Sequence, residues 1–265
     1  MIAKRLIFSF IVLSIAVLGA AYSDFGISEY KLQTNAELRE LESKTYCRSY
    51  NDKFDRGLVT CQNFRGMDKD IFIWGDSHAK HLVAGFSEVF PNYNVFVLYM
   101  TGCVPQSGFQ GYLRDYKDDR TIECVRRNKN ALQFFFERQP TNIIITSAKR
   151  DKPERMASIA KDLAILLGQH GHNAVVLGDF IRPGVALNGC QDCEPDKRQV
   201  LQELRYNKRF HKEFPEAVMP DLFQCPGGEC IFYAGGKPIH RDNHHLSIFG
   251  ATEMVGRMKD HIPLN

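Results

Sequence analysis

The chain lacks a large excess of either charge. Its 34 Lys and Arg residues stand against 31 Asp and Glu residues, a formal charge of +3 at pH 7. Lys4 and Arg5 are the only charged residues within positions 1–23, so the rest of the chain carries a charge of +1. Proteins that bind nucleic acids concentrate positive charge on one face or one element. This near balance argues against nucleic acid as a partner.

The chain also lacks a multi-helix membrane module, and its long apolar stretch runs from Leu6 to Tyr22. That stretch follows two basic residues and ends in small residues, which is typical of a secretion signal. Its length lies between a signal-peptide core and a full membrane span, so residues 1–23 fit a cleaved peptide or a retained anchor. In both cases we expect the rest of the chain to be exported, in the periplasm or another extracytoplasmic space.

Eight cysteines agree with export, because an even number in an oxidising compartment usually forms disulfides. Their spacing suggests four local pairs, although other connectivities are possible. The pairs are Cys47 with Cys61, Cys103 with Cys124, Cys190 with Cys193, and Cys225 with Cys230. A zinc site on the thiolates of the last two pairs is the alternative, which export disfavours. We therefore expect neither a metal nor a cofactor.

The stretch from Ile71 to Leu82 (IFIWGDSHAKHL) joins a short apolar run to a helical pattern. The apolar run has the length and composition of a buried parallel strand, and Gly75 allows a tight corner after it. A serine at such a junction lies beside backbone amides and the positive end of the helix dipole. Ser77 is therefore a candidate nucleophile, although Asp76 and Ser77 are also common helix-capping residues.

A second stretch, Pro238 to Ala251 (PIHRDNHHLSIFGA), supplies possible partners for that serine. Asp242 precedes His245 by three residues, a spacing at which the carboxylate can reach back to the imidazole. It would fix the tautomer of His245 and leave the other ring nitrogen for Ser77. The sequence thus contains a candidate nucleophile, base and orienting carboxylate.

Taken together, Gly75-Asp76-Ser77-His78 and Asp242-x-x-His245-Leu246-Ser247 resemble the first and last sequence blocks of the SGNH (GDSL-like) hydrolase family. More narrowly, the chain resembles the extracytoplasmic SGNH domain associated with acyltransferase-3 family membrane O-acyltransferases, which acylate cell-surface polysaccharides. That resemblance includes Gly102-Cys103 after the second strand. It implies that the amides of Ser77 and Gly102 form the oxyanion hole and that Asp76 is a structural brace.

The wider family carries an Asn after the third strand as a further oxyanion donor, whereas this chain has Ala148-Lys149-Arg150. The narrower group also tends to lack that Asn. Lys149 or Arg150 is a possible substitute, although each fits a solvated charge better. Three residues are candidates for substrate binding: Arg150, Asp179 and Arg182. The other histidines near the two motifs are expected to be exposed loop or capping residues: His78, His81, His240 and His244.

Strand and helix patterns alternate along the chain, which predicts an α/β fold with a parallel sheet covered on both faces. The five predicted strands are 71–74, 94–100, 142–147, 174–177 and 231–234. The main predicted helices are 79–89, 123–138, 154–169, 196–214 and 247–261. The resemblance implies the three-layer αβα, flavodoxin-like arrangement of the SGNH hydrolases. Residues 24–66 are predicted to form a stalk or lid, and residues 67–265 the SGNH hydrolase-like domain.

These observations predict an exported, serine-dependent enzyme that acts on O-acetyl groups of a cell-envelope polysaccharide. The resemblance favours an O-acetyltransferase that receives acyl groups from a separate membrane acyltransferase. A carbohydrate acetyl esterase uses the same residues and differs only in the acceptor. The alternative of another class is an inactive SGNH module that binds glycan, which the missing Asn favours and the three triad residues disfavour.

Overall fold

The computed structural model describes residues 61–108, 119–187 and 193–265. The predicted signal or anchor (1–23), most of the predicted stalk, and the cysteines Cys47 and Cys190 lie outside the described residues. Within these ranges, no helix combines the length and the apolar character that a membrane span requires.

A mostly parallel sheet of five strands forms the centre of the fold, in the order β1-β3-β2-β4-β5. The strands are β1 (Cys61–Asn63), β2 (Lys69–Gly75), β3 (Tyr93–Tyr99), β4 (Asn142–Thr146) and β5 (Asn173–Val176). β2, β3, β4 and β5 are parallel, and β1 pairs antiparallel with β3 at the edge. The carboxyl ends of the four parallel strands therefore lie at one edge of the sheet, where ligands bind in open α/β folds.

Helices cover both faces of this sheet and complete three αβα layers. They are α1 (Ser77–Val89), α2 (Asp119–Phe136), α3 (Pro153–Gln169), α4 (Lys197–Glu213), α5 (Asp221–Gln224) and α6 (Ile248–Met258). Successive residues of β2 point to opposite faces: Phe72 and Trp74 pack with α2, α3 and α4, while Ile71 and Ile73 pack with α1 and α6. The predicted fold class is confirmed, and the five long helices begin and end within a few residues of the predicted positions.

The fifth predicted strand is wrong. Residues 231–234 do not join the central sheet; instead β6 (Tyr233–Ala234) pairs with β7 (Lys237–Pro238) in a separate two-stranded hairpin. Val218 instead pairs with the chain at the end of β5. Its N–H donates to the carbonyl of Val176, and its carbonyl accepts from the N–H of Gly178. The fifth strand of the sheet is β1, which the sequence assigned to the stalk at 24–66.

Two of the predicted disulfides lie wholly within the described residues. Cys103 bonds to Cys124, and Cys225 bonds to Cys230. Cys193 is also disulfide-bonded, and none of the described cysteines is free. The bond between Cys225 and Cys230 consumes two of the four thiolates that the alternative zinc site required.

Candidate active site

Ser77 is the first residue of α1 and directly follows the carboxyl end of β2. The chain turns within two residues there because Gly75 lies against β4. A Cβ atom on Gly75 would lie 2.1 Å from the carbonyl oxygen of Thr146 and 2.8 Å from the Cβ of Ala79. Only glycine permits this approach. Ser77 is partly buried and stands at the amino end of a 13-residue helix.

Asp76 is fully buried and braces this corner. Its Oδ1 accepts the N–H of His78 at 2.9 Å, which caps α1. Its carboxylate also accepts the N–H of Ala148 at 3.1 Å and lies 3.4 Å from the guanidinium of Arg150. Asp76 thus connects the start of α1 to the segment after β4, in agreement with the brace role that the family resemblance implies.

The loop between β7 and α6 brings His245 and Asp242 to Ser77. The Nε2 atom of His245 lies 3.1 Å from the Oγ atom of Ser77, across 168 residues of sequence. The Nδ1 atom of His245 lies 2.9 Å from the Oδ2 atom of Asp242. The contact between base and nucleophile that the sequence predicts is therefore present.

The carboxylate of Asp242 sets the tautomer of His245. A carboxylate only accepts hydrogen bonds, so Nδ1 carries the proton and Nε2 is free to accept from the hydroxyl of Ser77. Burial opposes ionisation of Asp242, but the backbone N–H groups of His244 and His245 and the imidazole outweigh it and lower the pKa of Asp242 to about 2. Asp242 is ionised over the whole physiological pH range.

A second histidine–carboxylate pair lies behind the first. The Nδ1 atom of His78 is 2.7 Å from the Oδ1 atom of Asp179, and both side chains are nearly inaccessible, at 4% and 3%. Burial lowers the pKa of His78, but attraction to Asp179 more than offsets this and raises it above its ordinary value. Burial likewise opposes ionisation of Asp179, and the charge and hydrogen bond of His78 lower its pKa. The raised pKa of His78 and the lowered pKa of Asp179 both favour the charged form of this buried pair.

Three imidazole rings pack together around this pair. The ring centroid of His78 lies 5.1 Å from that of His245 and 5.0 Å from that of His81. His81 accepts the N–H of Leu246 through Nδ1 at 3.3 Å, so this ring also holds the residue after His245. Histidine rings that the sequence assigned to exposed positions are therefore buried: His78, His81 and His240. The i, i+3 spacing of His78 and His81 in α1 was the signal for a shared buried face.

A charged network extends from Asp179 to α4. Lys149 donates its backbone N–H to Asp179 at 3.3 Å, and its ammonium group pairs with the buried Glu203. Arg182 donates to the same Glu203 at 2.9 Å. Asp179 and Arg182 were candidates for substrate binding, but their charged groups are bound inside the protein, so the structure corrects both assignments to structural ones. Lys149 cannot replace the missing Asn, because its ammonium group points into this network.

Gly102 and Arg150 remain at the surface. Gly102 follows β3, is exposed and adopts a φ of +76°, which favours glycine. The N–H of Met100 donates to the carbonyl of Gly75 at 3.3 Å, which ties this turn to the corner before Ser77. Arg150 is 39% exposed at its side chain and lines the same cavity as Gly102. The predicted oxyanion role of Gly102 and the predicted substrate-binding role of Arg150 stay predictions.

The buried histidines predict a loss of stability in mild acid. His81 and His240 are desolvated, which lowers the pKa of His81 well below its ordinary value and that of His240 to about 3. The unfolded chain binds protons at these residues near pH 6.5 while the folded chain does not, so stability falls as the pH drops below about 6.5. His78, with its raised pKa, acts in the opposite direction, but burial also lowers the pKa of His172 and that of His244.

Urea unfolding at pH 7.5 and pH 5.0 measures this effect. We expect a lower midpoint at pH 5.0, and we expect the difference to shrink in His240→Phe, which keeps a ring and removes the titrating group. The matched control is His170→Phe, because His170 is exposed at the end of α3. An equal midpoint at both pH values in the native protein would contradict the prediction.

The family model described as the SGNH domain fused to AT3 domains matches residues 40–260. The periplasmic domain of a lipopolysaccharide acetyltransferase from Salmonella ser. Paratyphi A has a TM-score of 0.64 at 17% identity, covering 89% of this chain and 96% of that one. At this identity the match shows a shared fold.

Two further structures are less similar. A candidate SGNH hydrolase from Slackia heliotrinireducens has a TM-score of 0.46 at 14% identity, over 73% of this chain and 98% of that one. Est24, a carbohydrate acetylesterase from Sinorhizobium meliloti, has a TM-score of 0.41 at 12% identity, over 74% and 98%. A search of the curated proteins found no significant match.

Proposed function

We propose, since this chain belongs to the family of SGNH domains fused to AT3 domains, that it is an exported serine-dependent enzyme that transfers O-acetyl groups onto a cell-envelope polysaccharide. The observation that carries the proposal is the contact of His245 with both Ser77 and Asp242. Nucleophile, base and orienting carboxylate stand in the order that acyl transfer requires. A glycan-binding module has no need of that arrangement.

In the first half of the reaction, the Oγ atom of Ser77 attacks the carbonyl carbon of an acetyl ester. His245 takes the hydroxyl proton at Nε2 as the new C–O bond forms, and Asp242 stabilises the resulting imidazolium. Collapse of the tetrahedral intermediate breaks the ester bond of the donor. His245 returns its proton to the departing alkoxide, which leaves an acetyl ester on Ser77.

The negative charge of the tetrahedral oxygen needs donors at the amino end of α1. The N–H of Ser77 belongs to the first turn of that helix, where backbone amides are unpaired and the dipole is positive. Gly102 supplies the second N–H from the turn after β3. The N–H groups of Ala148 and Lys149 are occupied by Asp76 and Asp179, so they do not serve. Loss of one such donor typically costs about 10²- to 10³-fold in rate.

The acceptor decides between transfer and hydrolysis. In the second half, His245 removes the proton of an incoming hydroxyl, the oxygen of that hydroxyl attacks the acetyl-serine, and His245 returns the proton to the Oγ atom of Ser77 as the acetyl–serine bond breaks. A sugar hydroxyl gives O-acetylation of a glycan, whereas water gives a carbohydrate esterase. Fusion of the family's members to AT3 domains favours transfer, with a membrane acyltransferase as the source of acetyl groups. The described disulfides support an extracytoplasmic location.

A paired assay separates transfer from hydrolysis. Purified envelope glycan and a membrane fraction are supplied together, and acetate release and glycan acetylation are measured in the same tube. We expect acetate to be incorporated into the glycan faster than it is released. We also expect p-nitrophenyl acetate to be cleaved and long-chain esters to be poor substrates.

Each alternative result has a defined meaning. Release without incorporation would select the esterase. Glycan binding without turnover of any ester would select the inactive module. Preference for long-chain esters with no effect on glycan would refute the substrate class.

A further inference from the structure

A cavity of about 480 Å³ opens beside the candidate oxyanion hole. Its lining includes Gly102, the disulfide-bonded Cys103 and Cys124, and the two arginines Arg120 and Arg150. Two residues of its lining contact the residues that precede Ser77: the N–H of Met100 donates to the carbonyl of Gly75, and the guanidinium of Arg150 lies 3.4 Å from the carboxylate of Asp76. An acetyl acceptor held beside Gly102 would therefore extend toward this cavity.

Arg120 carries a preorganised positive charge into this cavity. Its Nη2 atom donates to the carbonyl of Thr101 at 2.9 Å, and the same atom lies 3.6 Å from where a Cβ on Gly102 would stand. The guanidinium is thus held beside the turn that bears Gly102. A guanidinium has five N–H donors in a rigid fork, so this single bond leaves donors for a bidentate partner.

The described residues that line the cavity carry a positive charge overall. Among the described residues that line it, two are arginines and none is acidic. The buried carboxylate of Asp76 balances part of the charge of Arg150, at 3.4 Å, whereas Arg120 bonds only a neutral carbonyl within the described part of the chain. Arg120 is therefore the stronger source of positive potential. A cleft lined by charge of one sign concentrates ligands of the opposite sign.

We propose that this cavity binds an anionic group of the acetyl acceptor, and that the glycan substrate carries carboxylates or phosphates next to the sugar that is acetylated. This inference rests on the proposed function, because it assigns the substrate class of the same site. Arg120 is a substrate-binding residue: it pairs with the anion and holds the neighbouring hydroxyl toward Ser77. Guanidinium fits the planar, two-oxygen geometry of carboxylate and phosphate.

Binding of the glycan acceptor is measured first, on a variant that cannot catalyse acetyl transfer. Ser77→Ala is titrated with oligogalacturonate, with a phosphate-bearing teichoic acid fragment, and with a neutral xylo-oligosaccharide, each without acetyl groups. We expect one of the two anionic ligands to bind at least about tenfold tighter than the neutral one, a preference that decreases with salt. The anionic ligand that binds identifies the source of the charge.

Substitutions of single arginines then identify the residue that binds the anionic ligand. Adding Arg120→Gln to Ser77→Ala should weaken binding of the anionic ligand about tenfold, and Arg120→Glu should weaken it further by repulsion. The matched control is Arg126→Gln, because Arg126 is exposed on the same helix and pairs with Glu123 outside the cavity. We expect it to bind as the parent does.

The outcomes separate this inference from the proposed function. Equal binding of neutral and anionic ligands, or equal losses in Arg120→Gln and Arg126→Gln, overturns the anionic subsite while ester cleavage by the native protein stands. In active protein, Arg120→Gln should raise the KM for the anionic acceptor with a smaller change in kcat. A loss in kcat alone would mean that Arg120 does not bind the acceptor. Absence of any ester cleavage by native protein refutes the proposed function, whatever the titrations give.

Discussion

Replacement of Ser77 by alanine should remove at least about 10⁴-fold of the rate of p-nitrophenyl acetate cleavage, and His245→Ala should remove a similar amount. The physical reason is that nucleophile and base act as a unit: without the Oγ atom of Ser77, the proton that His245 would accept at 3.1 Å does not exist. Asp242→Asn should leave the fold intact and reduce the rate by roughly 10²- to 10⁴-fold, because the amide no longer fixes the Nδ1–H tautomer of His245.

Matched substitutions away from the site provide the controls. Ser158 is exposed on α3 and His170 is exposed at the end of that helix. Ser158→Ala and His170→Ala should therefore keep the native rate. Each variant is compared by kcat/KM and by its far-ultraviolet circular dichroism, so that a loss of folding is not mistaken for a loss of chemistry. A Ser77→Ala protein that is as active as the native protein would refute the serine mechanism.

Removal of the Asp179 carboxylate should have the largest effect on stability. Asp179→Ala removes the hydrogen-bond and charge partner of the buried His78, and loss of one member of a buried pair costs up to about 3 to 5 kcal/mol. It also leaves the N–H of Lys149 without its acceptor. The free energy of unfolding in urea at pH 7.5 measures the loss. Asp162→Ala is the control, because Asp162 is exposed on α3, and it should change stability by less than about 0.5 kcal/mol.

The double variant tests whether the pair itself is responsible. If His78 and Asp179 stabilise each other, then His78→Gln combined with Asp179→Asn should cost less than the two single changes added together. Strict additivity would show that the two side chains act separately. The ring of His78 packs against that of His245 at 5.1 Å, so we also expect Asp179→Ala to lower kcat in protein that remains folded.

These two predictions depend on different kinds of information. The triad of Ser77, Asp242 and His245 was predicted from sequence, because each of the two motifs that contain these residues is a local pattern. Asp242 and His245 are three residues apart within one loop, and the strand-to-helix junction places Ser77 at the carboxyl edge of the sheet. The long helices were equally predictable, since their apolar residues recur with the helical period.

The pair of His78 and Asp179 could not be predicted in the same way. The two residues are 101 positions apart, and nothing in either local sequence specifies the other. The sequence treated Asp179 and Arg182 as surface groups facing substrate because they follow a strand end. The packing of α4 against this edge instead places Glu203 beside Arg182 and Lys149 and removes these charges from solvent.

The order of the strands in the sheet could not be fully predicted from sequence either. The apolar run at 231–234 has the composition of a buried strand, and a short apolar run of this kind does not reveal its partner. In the folded chain Val218 takes the place beyond β5, and residues 231–234 form a hairpin. The sequence by itself determined the α/β class, the helices and the three residues proposed for catalysis, because periodicity and short spacings specify them. Only the tertiary structure decided which histidines are buried, which charges neutralise one another and which cleft remains basic, because those properties depend on contacts between residues far apart in the chain.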